Sequence, residues 1–229
     1  MSFAAFMKNP LAYVKTHRVF VANSDLAEGS VTPQAPVGIL GGGMSVEFVV
    51  HAAHPISMMI TGNTQKQRAK NIFERAARRI GVGSWARRDY GVCTSTGDVG
   101  FRYLPYRPNS VTYMALDGNA RFCLTGPLTG CTVGAGSDGA GNVWFFHSNR
   151  NDLGAVAAAR IPKRLMLNAV AANQGIAHAD IALCEYGPNL QYDGLGFVFG
   201  KRQTNGEWRF YAHATGVGNA TATNHFGTV

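Results

Sequence analysis

Charge is scarce in this sequence. Only 15% of its 229 residues are charged, against 46% that are hydrophobic. That balance excludes a disordered chain, which stays unfolded through polarity and net charge. Cysteine is also sparse: Cys93, Cys123, Cys131 and Cys184 are the only four. None forms a C-x-x-C pair, and no histidine stands at zinc-ligand spacing from two of them, so no metal site is expected. The chain is too large to need disulfides as staples, and the thiols read as reduced. No apolar run reaches membrane-spanning length, and there is no repeat or low-complexity tract. The start, MSFAAFMKNPLAYVKTHRVF, lacks the basic end, apolar centre and small-residue cleavage site of a signal peptide. Export, if it occurs, is expected to use another route.

Glycine and positive charge are abundant, with 28 Gly and a net charge of +8. Many glycines among scattered β-branched residues suit a strand-rich fold with many turns rather than a helical bundle. The length suits one domain over residues 1–229. Residues 1–30 read as a helical or irregular lead-in, and residues 28–43, EGSVTPQAPVGILGGG, as a Pro/Gly-rich linker. Much of the excess charge is arginine: Arg68, Arg75, Arg78, Arg79, Arg87 and Arg88. Residues 64–80 read as an amphipathic helix, with Ile72, Phe73, Ala76, Ala77 and Ile80 on one face and basic residues on the other. Such a face either docks an acidic partner or is simply solvated.

Alternation predicts one or two strands over residues 45–60, then short strands at 99–104, 110–116, 120–125, 130–134 and 142–148. Residues 153–172 read as a helix broken or kinked near Pro162. GFVFGKRQ and EWRFYAHAT, joined through Thr204-Asn205-Gly206, carry a strong hairpin signal. The order favours an α+β fold, a mixed-sheet or β-sandwich core flanked by helices.

The stretch that carries chemistry is residues 125–147, TGPLTGCTVGAGSDGAGNVWFFH. The strand ARFCLT runs into the turn GPLTG and delivers Cys131. A Gly-rich loop follows, and the strand VWFFH ends at His147. If these flanks pair as a hairpin, thiol and imidazole lie on neighbouring strands near its base. A thiolate is the nucleophile, and an adjacent imidazole promotes it. Gly130 allows close backbone approach and can leave the Cys131 amide aimed at a developing oxyanion, with Thr129 in the same turn. The same residues also fit a structural role, because free cysteine is among the most buried residue types.

Thr125, Leu128-Thr129-Gly130-Cys131 and His147 together resemble the signature of the glutamine deamidases grouped with Burkholderia lethal factor and the cytotoxic necrotizing factors. Chemotaxis-receptor deamidases are similar, with a Thr six residues before the Cys. A Gly/Asp-rich loop and Val143-Trp144 ahead of the histidine strengthen the likeness, which covers about residues 120–148. Thr129 stands where the family usually has Ser, and Phe145 and Phe146 separate Val143-Trp144 from His147. The resemblance implies a β-sandwich, a Cys131–His147 mechanism without metal or organic cofactor, and Thr125 as a hydrogen-bonding partner of His147 or of substrate. It also implies a bacterial toxin or effector that acts in a host cytosol on a glutamine of a host protein. A transglutaminase or a cysteine protease would use the same pair. A basic nucleic-acid-binding module without catalysis is the reading from another class, and the RRM-type and OB-type signatures it would need are absent. His51 with His54, and His178 with Asp180, read as structural.

Overall fold

A computed structural model describes residues 3–22, 33–40, 44–49, 57–63, 90–94, 100–104, 110–149, 160–187, 190–215 and 221–229. In chain order the elements are α1 (Phe3–Lys8), α2 (Pro10–Thr16), β1 (His17–Ala22), β2 (Pro33–Leu40), β3 (Met44–Val49), β4 (Ser57–Asn63), β5 (Tyr90–Thr94), β6 (Phe101–Leu104) and β7 (Ser110–Leu116). There follow β8 (Phe122–Thr125), β9 (Thr132–Ser137), β10 (Val143–Asn149), α3 (Arg160–Asn173), β11 (Ala182–Cys184), β12 (Leu195–Arg202), β13 (Trp208–Thr215) and β14 (Thr221–Thr228).

Among the described residues one large sheet runs β11-β9-β10-β7-β3-β2 and the other β14-β13-β12-β8-β6, with a smaller sheet β1-β4-β5. Most neighbours are antiparallel, but β3 and β7 pair in parallel, as do β6 and β8. Both large sheets are therefore mixed, and the fold is α+β with a sheet core.

Side-chain alternation explains the layering. Phe145 on β10 turns inward and stacks on Phe210 of β13, ring centroids 5.5 Å apart. Val133, Ala135, Cys123, Val198 and Trp208 fill the same space between the two sheets. Phe146, one residue on, faces the other way and packs with Val111 and Tyr113 against Met166, Leu167 and Val170 of α3. The outer face of the second sheet packs Phe101, Phe122, Phe197 and Phe199 against Phe6, Tyr13 and Val14 of α1 and α2. These described elements form four layers, helix, sheet, sheet, helix. A strand buried on both faces has little room for polar residues, which is why VWFF and FVF read as continuous apolar runs. Each buried ring contributes roughly 1.5–3 kcal/mol through the water it leaves.

The β9–β10 hairpin and the β12–β13 hairpin are both present as the pattern predicts. Residues 28–43 are not simply a linker, because β2 pairs there with β3. Its prolines and glycines masked the strand signal, and β2 lies at the edge of its sheet, where proline is tolerated. The lead-in likewise holds β1. In α3, described from Arg160 onward, Pro162 sits in the first turn, where a missing N–H costs nothing; the earlier part of the expected helix, residues 153–159, lies outside the described residues. The helix expected over residues 64–80 lies outside the described residues.

Gly200 on β12 is a tight point of the inter-sheet core. A Cβ there would lie 2.6 Å from Cys123 Sγ and 2.7 Å from the Phe210 ring. Gly200→Ala is expected to destabilise the fold by about 1–3 kcal/mol through overpacking. Gly139→Ala, where a Cβ would meet nothing within 4 Å, is expected to stay within about 0.5 kcal/mol. Urea unfolding of the two variants checks this, and equal losses would contradict it.

Candidate active site

The β9–β10 hairpin sets the geometry. Its loop is closed by one carboxylate: Asp138 Oδ1 accepts from the backbone N–H of Ala140 and Asn142, and Oδ2 accepts from Asn142 Nδ2 and from Trp144 Nε1 at 3.0 Å. The Trp144 indole and the Asn142 amide hold the Asp138 carboxyl down to about 2. Closed this way, the hairpin pairs Phe145 with Ala135 and His147 with Val133. A one-residue slip would turn every side chain to the opposite face. Phe145 and Phe146 add one full pleat after Val143-Trp144, so His147 keeps the inward parity of Phe145.

Cys131 immediately precedes β9 and lies two residues before Val133, so it shares that inward face. The structure thus brings Cys131 and His147 to the same face of one hairpin, on adjacent strands. Both are buried: His147 is 0% exposed and Cys131 4%. They form no hydrogen bond with each other in this structure. Burial pushes the Cys131 thiol up to about 11, opposed by the Thr129 amide and the Lys163 charge. Burial holds the His147 imidazole down to about 3. The sequence reading expected the imidazole to favour the thiolate. Here loss of solvent dominates, and both groups rest in their neutral forms.

The turn before Cys131 is fixed by two side chains. Gly130 takes a left-handed φ of 114°, which suits glycine alone. Its N–H donates to the Tyr192 hydroxyl at 3.2 Å, and that hydroxyl donates to the Cys131 carbonyl at 2.6 Å. Lys163 Nζ, from the first turn of α3, donates to the Gly130 carbonyl at 2.6 Å. Ser148 on β10 donates to the Lys163 carbonyl at 2.9 Å, so the same helical turn is fastened to both strands. Thr129 is exposed at the rim of this turn. Cys184 on β11 faces the same interior, since its partner on β9 is Val133. Glu185 beside it pairs with Arg164 at 3.5 Å and Arg160 at 3.8 Å.

Thr125 is fully buried on β8 of the opposite sheet. Its Oγ1 accepts from the Val198 N–H at 3.0 Å and makes no hydrogen bond to His147. In this arrangement its work is to join β8 to β12. His178 and Asp180 are exposed, and no group of three or more His, Cys, Asp or Glu among the described residues is placed to hold a metal ion. No helix among the described residues is long and apolar enough to cross a membrane. His51 and His54 lie outside the described residues.

Sequence reasoning missed Lys163 and Tyr192. A signal existed for the first. Lys163 falls three, four, seven and eight residues before Met166, Leu167, Val170 and Ala171, the buried stripe of α3. A lysine in the apolar stripe of a helix is a polar group aimed inward. Tyr192 had no local signal, since only the tertiary fold brings its hydroxyl to residues 130 and 131.

No model of a known protein family matches the chain, and comparison with curated proteins finds no match.

The buried imidazole makes stability depend on pH. A histidine takes up a proton in the unfolded chain near 6.5 but in the fold only near 3. The stability this represents is whole above pH 6.5 and is lost as pH falls through that window toward 3. Unfolding stability is expected to drop by about 2 kcal/mol between pH 7 and pH 5 on account of His147. His147→Gln should remove that part of the slope. Urea titrations at the two pH values check it, and an unchanged slope in the variant would rule the assignment out.

Proposed function

We propose that the protein is a glutamine deamidase acting on other proteins, with Cys131 as nucleophile and His147 as general base and acid. One observation carries the reading: the register of β9 and β10 sets a cysteine and a histidine on one face of a hairpin, with the cysteine delivered by a left-handed glycine turn. The neutral imidazole is the form that can accept a proton. Cys131 Sγ attacks the side-chain carboxamide carbon of a glutamine as its proton passes to His147. His147 then protonates the departing nitrogen, which leaves as ammonia. Water, activated by the same imidazole, hydrolyses the thioester to glutamate and restores the thiol. Gly130 and Thr129 shape the turn that receives the carbonyl oxygen, and Thr125 steadies the opposite wall through β12. No cofactor enters the reaction.

The resemblance extends this to a bacterial toxin or effector whose target is a host protein met in the host cytosol. The arginine-rich segment around residues 64–88 suits a target with an acidic face. Nucleic acid is not needed as a partner.

The test exposes a host-cell lysate to the full chain and follows it by peptide mass spectrometry and ammonia release. A gain of about 1 Da at a particular glutamine, matched by ammonia, is the expected chemistry of thioester formation and hydrolysis. Cys131→Ser should fold with an unchanged melting temperature and lose at least about 1,000-fold in rate. Full activity in the Ser variant would end the assignment. Amine incorporation at glutamine would make the protein a transglutaminase, and backbone cleavage a protease.

A further inference from the structure

We propose that Tyr192 is a positioning residue of the Cys131 site: its hydroxyl closes a clamp across Gly130 and Cys131 that aims the sulfur. The inference rests on the reading of Cys131 as nucleophile.

Two fixed points bracket the nucleophile turn. On one side Leu128 and Gly196 exchange both backbone hydrogen bonds, at 2.7 and 3.0 Å. On the other, the pairing of β9 with β10 extends as far as Thr132 and Ser148. Residues 129–131 lie between, and Gly130 departs there from extended backbone, with φ at 114°. Tyr192 spans that gap. Its hydroxyl oxygen accepts from the Gly130 N–H at 3.2 Å, and its proton goes to the Cys131 carbonyl at 2.6 Å. These two groups belong to the peptide units on either side of the Gly130-Cys131 pair. Peptide units are planar, so one oxygen bound to both closes a ring around the backbone torsions of Gly130 and Cys131. Those torsions set the direction of the Cys131 Cα–Cβ bond.

Packing does not account for the hydroxyl. Tyr192 is 2% exposed and sits in the same apolar cluster as Leu128, Cys131, Val133 and Cys184. A phenylalanine would fill that cluster and bring no polar atom into it. A buried hydroxyl costs stability unless it is hydrogen-bonded, and both bonds of this one go to main chain at and beside the nucleophile. The tyrosine is itself braced. Its ring meets Tyr186 edge-on, centroids 5.4 Å apart, and its carbonyl accepts from the Gly187 N–H at 3.0 Å. Gln191, the residue before it, accepts from the Glu185 N–H through its side chain and from Asn224 Nδ2 through its carbonyl. The clamp is thus anchored to β14 and to the end of β11.

The experiment compares the native full chain with Tyr192→Phe, which keeps the ring and removes the clamp. Iodoacetamide labelling rates are measured for Cys131, Cys123 and Cys184 in mildly alkaline buffer, and melting temperature is recorded. Without the hydroxyl, the Gly130 N–H and the Cys131 carbonyl must find water instead. The turn then opens, and Cys131 is expected to label about tenfold faster, with Cys123 and Cys184 as in the native protein. On a glutamine substrate of the native protein, kcat is expected to fall at least about tenfold at unchanged KM, since a misplacement of about 1 Å costs roughly 100-fold in rate. A faster thiol in a slower enzyme is the signature of a lost positioning contact, and a loosened fold does not give it. Native labelling of Cys131 in the folded variant would overturn the proposal, as would a rise shared by all three thiols or an unchanged kcat. If Tyr192→Phe does not fold, amide exchange in the native protein decides: the Gly130 N–H is expected to be protected at least about 100-fold, and exchange at the unstructured rate overturns the clamp. Labelling and exchange read the turn directly, so failure of the clamp is distinct from a native protein that deamidates nothing, which would end the reading of Cys131 as nucleophile.

Discussion

The register of the β9–β10 hairpin is the constraint from which the site follows. Each of its faces is claimed by a different neighbour. One packs Val133, Ala135 and Phe145 against the second sheet, and the other packs Phe146 against α3. Shifting the pairing by one residue would move both sets at once, and neither layer could accept the other's side chains. The Asp138 loop closes the hairpin in that register through four hydrogen bonds. His147 is therefore inward for the same reason that Phe145 is. Cys131 is inward because it continues the pleat of β9.

Burial then sets the electrostatics. The inter-sheet space that excludes water also raises the thiol and lowers the imidazole, so the pair is neutral at rest. Neither group is charged at rest, so no standing ion pair joins them. The turn is held by main-chain contacts to Lys163 and Tyr192, which leaves the sulfur itself uncommitted to either side chain.

Much of this was legible in the sequence, for identifiable reasons. The two hairpins declared themselves through alternation and turn residues, because those signals are local. The sandwich followed from many short strands, and the Cys–His hairpin from a Gly-rich loop between them. What stayed hidden depended on distant contacts or on competing signals. Pro and Gly in residues 28–43 concealed β2, which the edge of a sheet tolerates. Thr125 carried a plausible polar role in sequence, yet the strand order of the second sheet gives its hydroxyl to Val198. Tyr192 reaches the turn from 61 and 62 residues away, a separation no local pattern reports. Lys163 was visible as a charge in an apolar stripe, but only once α3 was placed against β9.

The central claim is that Cys131 differs in kind from Cys123 and Cys184, the other thiols whose surroundings are described. Cys123 and Cys184 are 0% exposed within the core, whereas Cys131 lies at the end of a strand beside the exposed Thr129. The most direct measurement is competitive labelling of the folded protein with iodoacetamide, with each of the four cysteines quantified by peptide mass spectrometry. The account predicts that Cys131 is modified at least about tenfold faster than Cys123 or Cys184 at mildly alkaline pH, because of the three it alone keeps some exposure. A native protein in which Cys131 stays unlabelled while Cys123 or Cys184 reacts, or in which it reacts no faster than they do, would contradict it.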